Sequence, residues 1–221
     1  NELNPDVIVI TGDLTNEGLM KEYEKCKSLL KQFKTKKIIS ISGNHDYRNT
    51  GYLLFKKFFP FETINELDND VVLVTVGTAR PDRNNGEVGY RQNLWLERTM
   101  KKYKDKIKIV AMHHHLIAIP DTGSDQRTVV DAGDVLRTIL DSNVDVVLCG
   151  HKHRPWVWNF KTLTVVNAGT ATSERVRGFF ENTYNILTIS NKTVQVDLKI
   201  VGGKRHPIDE IMNNDSQFEN E

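Results

Sequence analysis

A chain of 221 residues with 38% apolar and 27% charged side chains carries enough material for one domain with its own core, without disulfide staples. Its formal charge of +1 gives no electrostatic basis for binding nucleic acid or an acidic membrane. No apolar run approaches the roughly 18–20 residues that span a bilayer, and no leader pattern is visible, so the expectation is a cytoplasmic protein with two reduced, packed thiols, Cys26 and Cys149.

Val7 to Ile10 is a continuous β-branched run, the pattern of a strand covered on both faces. A helix follows over 19–33, with Leu19, Tyr23, Cys26, Leu29, Leu30 and Phe33 as its apolar stripe. Ile38 to Ile41 reads as a second strand, Tyr52 to Phe59 as a short helix stopped at Pro60, and Val71 to Val76 as a third strand. Helical spacing returns at Leu94 to Tyr103, a strand at Ile107 to Met112, a helix at Val135 to Leu140 and a buried strand at Val144 to Cys149. Pro120 to Ala132 between them is a polar insertion, read as a loop over a site. This alternation predicts an α/β layered domain. After residue 155 the elements shorten: Trp156 to Phe160, Leu163 to Val166, Tyr184 to Ile189 and Val194 to Ile200 read as consecutive hairpins forming a second, partly antiparallel sheet. Residues 1–212 are taken as one domain and 213–221 as a polar, disordered tail.

The chemistry lies in the polar residues that follow the strands. These are Thr11-Gly12-Asp13, Ser42-Gly43-Asn44-His45-Asp46, His113-His114-His115 and Gly150-His151-Lys152-His153. In open α/β sheets ligands bind at the carboxyl ends of strands. A glycine directly precedes Asp13, Asn44 and His151, as a tight turn with close backbone approach requires. Singly, each segment is an ordinary turn, cap or surface run; four at one sheet edge are hard to explain as accidents. One carboxylate, one amide oxygen and several imidazoles, without thiolate, suit Mn, Fe or Zn ions better than calcium or an iron–sulfur cluster, and no organic cofactor is indicated.

These motifs, in this order over residues 7–153, resemble the signature of the calcineurin-like metallophosphoesterases. The resemblance implies an α-β-β-α sandwich of two mixed sheets flanked by helices. It implies a dinuclear site in which Asp13 bridges two metals, Asn44, His113 and His151 complete one shell, and His153 binds the other ion. Asn44, His45, His114 and Arg154 would contact substrate. A hydroxide held between the metals would attack phosphorus, with His45 as acid and Asp46 orienting it. Gly43-Asn44-His45-Asp46 with Arg48, the paired histidines and Gly150-His151-Lys152-His153-Arg154 are most similar to class III cyclic-nucleotide phosphodiesterases and glycerophosphodiesterases. A cyclic nucleotide or a glycerophosphodiester is therefore the candidate substrate, and homo-oligomers are allowed. The family's Asp-x-His motif has no counterpart before Asp13, so the first strand is read as missing and the amino end as incomplete. A catalytically weak binding scaffold, a nuclease and a phosphomonoesterase are the alternatives.

Overall fold

The computed structural model describes residues 3–59, 64–67, 70–122, 128–177, 181–190 and 193–213. In chain order these form β1 (Val7–Ile10), α1 (Met20–Leu30), β2 (Lys37–Ser40), a 3-10 turn (His45–Tyr47), α2 (Gly51–Phe58), β3 (Ile64–Leu67), β4 (Val71–Thr75) and α3 (Tyr90–Met100). They continue with β5 (Ile107–Ala111), α4 (Ala132–Asp141), β6 (Val146–Cys149), β7 (Trp156–Asn159), β8 (Thr164–Asn167), β9 (Thr183–Ser190), β10 (Thr193–Ile200), β11 (Arg205–Pro207) and α5 (Ile208–Asn213).

The fold is mixed α/β, with helices flanking its sheets. β4, β5, β6 and β8 run parallel inside a six-stranded sheet of order β3-β4-β5-β6-β8-β7. β1 and β2 pair in parallel with each other, and β9, β10 and β11 form an antiparallel ladder. Because side chains alternate along a strand, the large sheet has two apolar faces. Val72, Val74, Val110, Val147 and Val165 pack with Leu96 and Met100 of α3 and Val135 and Ile139 of α4. Val71, Leu73, Ile107, Ile109, Val146 and Leu148 face the other way, against Val7, Val9, Ile39 and Ile41 of the small parallel pair and Leu187 and Val196 of the antiparallel ladder. α1 and α2 pack through a third cluster of Tyr23, Cys26, Leu30, Phe55 and Phe58.

Details of the sequence reading need correction. The hairpin after residue 155 does not open the second sheet: β8 pairs in parallel with β6, and β7 is the edge of the large sheet. The expected layering of sheets flanked by helices is present, with the β1–β2 pair and the β9–β11 sheet both packed on one face of the large sheet. The stripe of α1 is narrower than expected, for Tyr23, Cys26 and Leu30 turn inward while Leu19, Leu29 and Phe33 stay about half exposed. β3 escaped notice because its buried inward residue is Asn65, whose amide donates to the Leu73 carbonyl. Pro60, residues 123–127 of the insertion and the tail from 214 lie outside the described residues. Both cysteines are free thiols, and no described helix is long and apolar enough to cross a membrane.

Candidate metal centre

Four carboxyl ends of parallel strands meet at one place. β1 leads through Thr11 and Gly12 to Asp13, and β2 through Gly43 to Asn44. β5 leads to His113, and β6 through Gly150 to His151. The ladder between β5 and β6 continues past the strands, for Gly150 N–H donates to the His113 carbonyl at 2.8 Å, which sets the two histidines side by side.

The glycines are required by the side chains of the centre. A Cβ at Gly12 would stand 2.4 Å from His113 Nδ1, and one at Gly43 would stand 2.0 Å from Asp13 Oδ1. Asp13 and His151 themselves sit at φ 57° and 72°. Gly150 and Lys152 close a three-residue turn around His151, with Lys152 N–H donating to the Gly150 carbonyl at 2.9 Å. Side chains seldom adopt that backbone region, which costs on the order of 1 kcal/mol or more and tends to cluster at functional sites.

The donor atoms converge. Asn44 Oδ1 is 3.0 Å from both His113 Nε2 and His151 Nδ1. The two ring nitrogens are 3.2 Å apart, and Asp13 Oδ2 is 3.4 Å from His113 Nε2. Donors about 2.1 Å from a tetrahedral ion lie about 3.4 Å from one another, so this set has the dimensions of a cation shell. The orientations agree with that use. His113 Nδ1–H donates to the Thr11 carbonyl at 2.6 Å, which leaves the Nε2 lone pair facing the cluster. Asn44 Nδ2 donates to Asn84 Oδ1 at 3.3 Å, which turns Oδ1 inward. Burial, reinforced by His113, pushes the His151 imidazole far below its usual range, so the ring is neutral as a ligand must be. The residues present therefore fit one ion.

The remaining expected residues are placed differently. His153 is not brought to the cluster by any described contact: its Nδ1 donates to the Arg175 carbonyl at 2.7 Å. His114 has a ring nitrogen near those of His113 and His151, but both its nitrogens are engaged. Nε2–H donates to the Asn84 carbonyl at 3.1 Å, and Nδ1 accepts from the Thr78 hydroxyl at 2.8 Å. Desolvation, with His113 adding to it, lowers its pKa to about 2. A ring only 2% exposed and bonded at both ends supports the Asn84 loop instead of meeting substrate. His115 is buried and its ring stacks on His151 with centroids 6.0 Å apart. Arg154 is buried over the Trp156 ring and donates to Asp121 Oδ2 at 3.3 Å.

Asp46 does not orient the His45 ring. Its carboxylate accepts the Gly43 and Leu14 N–H groups on Oδ2, at 2.9 and 3.2 Å, and the Thr15 N–H and hydroxyl on Oδ1, both at 2.8 Å. Burial raises the pKa of this carboxyl, opposed by the Gly43 N–H, and with donors on both oxygens the group acts as an acceptor. It stitches the loop after β1 to the loop after β2. His45 is held by others: its backbone N–H donates to Asp13 Oδ1 at 3.0 Å, and its ring Nδ1–H donates to the Asn16 carbonyl at 2.9 Å. Asn16, Thr78 and Asn84 were not singled out in the sequence, and Thr11 was named there only as the start of a motif, with no role. Thr11 and Asn16 act through backbone carbonyls, which no residue type announces, and only the turn-forming Asn84-Asn85-Gly86 offered a local signal.

A cleft of about 480 Å³ lined by Lys104, Lys108, Asp141 and Asn143 lies at the opposite, amino-terminal edge of the large sheet, away from these donors.

Comparison with known proteins places the chain in a family. Residues 1–155 match the family model described as calcineurin-like phosphoesterase. An Arcobacter nitrofigilis protein named for glycerophosphodiester phosphodiesterase activity, GpdQ, is 27% identical over 164 residues, covering 70% of this chain and 60% of its own length. A cAMP/cGMP dual specificity phosphodiesterase of Mycobacterium tuberculosis is 27% identical over 165 residues, covering 68% of this chain and 49% of its own. The chain thus spans about half to two thirds of the curated relatives it matches. Among solved structures, a candidate 5'-nucleotidase of Staphylococcus aureus superposes with a TM-score of 0.56 at 14% identity, covering 96% of this chain and 49% of the other. At that identity the likeness speaks for the fold alone.

Proposed function

Since the chain belongs to the calcineurin-like phosphoesterases, we propose that it hydrolyses phosphate esters with metal ions, preferring diesters. The observation that carries the proposal is the convergence of Asn44, His113 and His151, with donor separations of 3.0–3.2 Å, and the Asp13 carboxylate 3.4 Å from His113 Nε2. These four side chains would hold one ion; Asp13 and His153 are proposed for a second, which makes the site dinuclear. When bound, such ions lower the pKa of water toward about 7 and offset charge on phosphoryl oxygens.

The chain's own groups do the rest. Asn44 is fixed by Asn84, so its carbonyl stays aimed at the cation instead of rotating. His45 has committed Nδ1–H to Asn16, which leaves Nε2 as the nitrogen that can carry a proton to the departing oxygen. Its backbone N–H on Asp13 Oδ1 ties that ring to the metal-holding carboxylate, so acid and metal shell keep one register. The relatives named for cyclic nucleotides and glycerophosphodiesters support a small diester as substrate.

The test is hydrolysis of bis-nitrophenyl against mono-nitrophenyl phosphate with Mn²⁺ and with chelator. Diester preference abolished by chelation is expected. Asp13→Ala and His151→Ala should each lose about 100-fold or more, since even outer partners of metal ligands are worth 10–100-fold. Near-normal turnover in either variant contradicts the ligand assignment, and a wild-type protein silent with every metal favours a binding scaffold.

A further inference from the structure

Beside the metal centre stands a cation that the chemistry above does not use. Arg48 follows the 3-10 turn, with its side chain 29% exposed. Its NH1 donates to Glu17 Oε1 at 2.7 Å and to the Asn16 carbonyl at 3.0 Å. Its NH2 lies 3.4 Å from His45 Nε2. The same Asn16 carbonyl accepts the His45 Nδ1–H, so one corner of chain grips both the imidazole and the guanidinium.

That corner is itself braced. The Glu22 carboxylate accepts the Glu17 N–H at 3.0 Å and the Leu19 N–H at 2.9 Å, and Asn49 Nδ2 donates to the Glu17 carbonyl at 3.0 Å. Gly18 at φ 66° lets it come close, for a Cβ there would stand 2.6 Å from the Arg48 carbonyl. The guanidinium is therefore preorganised, with one edge occupied by Glu17 and the other presented to His45.

The presented edge has a poor partner. An N–H to nitrogen contact of 3.4 Å is long, whereas a guanidinium on an anionic oxygen reaches about 2.7–2.9 Å. The Nε2 it occupies is the nitrogen His45 needs for the leaving group. Both mismatches are relieved by one event, arrival of a phosphate anion. Resting on the reading of this site as a phosphoesterase centre, we propose that Arg48 contacts substrate: its NH2 edge moves from His45 Nε2 to a non-bridging phosphoryl oxygen, and the freed Nε2 takes up a proton from solvent that it passes to the departing oxygen. Glu17 keeps the guanidinium from following the anion away.

The test is calorimetric binding of inorganic phosphate to the Mn²⁺-loaded protein, with kcat and KM for bis-nitrophenyl phosphate measured alongside. Arg48→Ala should weaken phosphate binding about 10–100-fold and raise KM, the worth of a charge-assisted hydrogen bond, while Mn²⁺ affinity stays within about twofold. Arg48→Lys, which keeps the charge without the fork, should fall between, and millimolar guanidinium chloride should restore part of the Arg48→Ala binding. Arg48→Lys also preserves the test should Arg48→Ala fold poorly. Unchanged phosphate affinity and KM in Arg48→Ala, with the wild type active, overturns this inference alone. A wild type that neither hydrolyses the diester nor binds phosphate overturns it together with the proposed function.

Discussion

Asp46 shows how little freedom one side chain near the cluster has. Two donors point at each of its oxygens, and the carboxylate is 0% exposed. The Asp46 carbonyl is pinned as well, accepting the Tyr23 hydroxyl at 2.6 Å. Asparagine in its place has nearly the same shape, but whichever way the amide turns, its NH₂ faces two donors. Each stranded donor costs about 1–3 kcal/mol, so Asp46→Asn should destabilise by roughly 2–4 kcal/mol. For a chain of this size that lowers Tm by about 5–12 °C. A thermal scan placing the variant within about 2 °C of wild type would show that the four donors do not depend on the negative charge. The sequence offered Asp46 as a partner of His45 because the two are adjacent in a motif. Its actual partners are the Gly43 N–H three positions back and, 31 or more positions away, the N–H groups of Leu14 and Thr15 and the Thr15 hydroxyl.

At the scale of elements, legibility follows the number of faces a strand buries. β1, β4 and β6 could be read because apolar, largely β-branched runs belong to strands covered on both sides, and β5 despite Lys108, whose buried ammonium donates to the Ser142 carbonyl. The convergence of Asp13, Asn44, His113 and His151 then follows from parallel strands ending at one edge. The same rule, applied to Val165 and Val166, marks β8 as an interior strand; reading it as part of a hairpin sheet gave weight to the short connection from β7 instead. Asn65 in β3 and the outward leucines of α1 break their patterns, and there only tertiary packing decides. Packing also sets the reactivity of the two thiols. Burial pushes Cys149, at the end of β6, up to about 12, and Cys26, facing α2 from α1, up to about 11 with Asp46 adding to the rise. Since the thiolate is the nucleophile, native Cys26 should be alkylated by iodoacetamide on the order of 100-fold more slowly than free cysteine near pH 8, and Cys149 more slowly still. Both should react at the ordinary rate in denaturant. Mass spectrometry after a timed pulse reads this directly, and labelling of native Cys26 at the free-thiol rate would mean that the α1–α2 contact opens readily.

In the whole molecule the metal centre straddles a seam. Among the described residues the β1–β2 pair shares no strand pairing with the large sheet. What joins them is the apolar layer of Val7, Val9, Ile39 and Ile41 against Val71, Ile107 and Val146, together with polar contacts such as the His113 Nδ1–H on the Thr11 carbonyl. Asp13 and Asn44 belong to one side of the seam, and His113 and His151 to the other. An ion held by all four is a cross-link between sheets, present only in the folded state. At a free ion concentration 100 times its Kd, such a ligand stabilises the fold by about 2.7 kcal/mol. Stripping Mn²⁺ with a chelator should then lower Tm by about 5–10 °C. The loss should also be local, with amide exchange speeding up across 7–10 and 37–40 before 107–111, because the latter strand keeps neighbours on both sides in the large sheet. His151→Ala should abolish the chelator effect by removing a ligand from one side of the seam. If chelation leaves both Tm and exchange unchanged while it still abolishes hydrolysis, the ion serves chemistry alone and the apolar layer suffices to hold the two sheets in register.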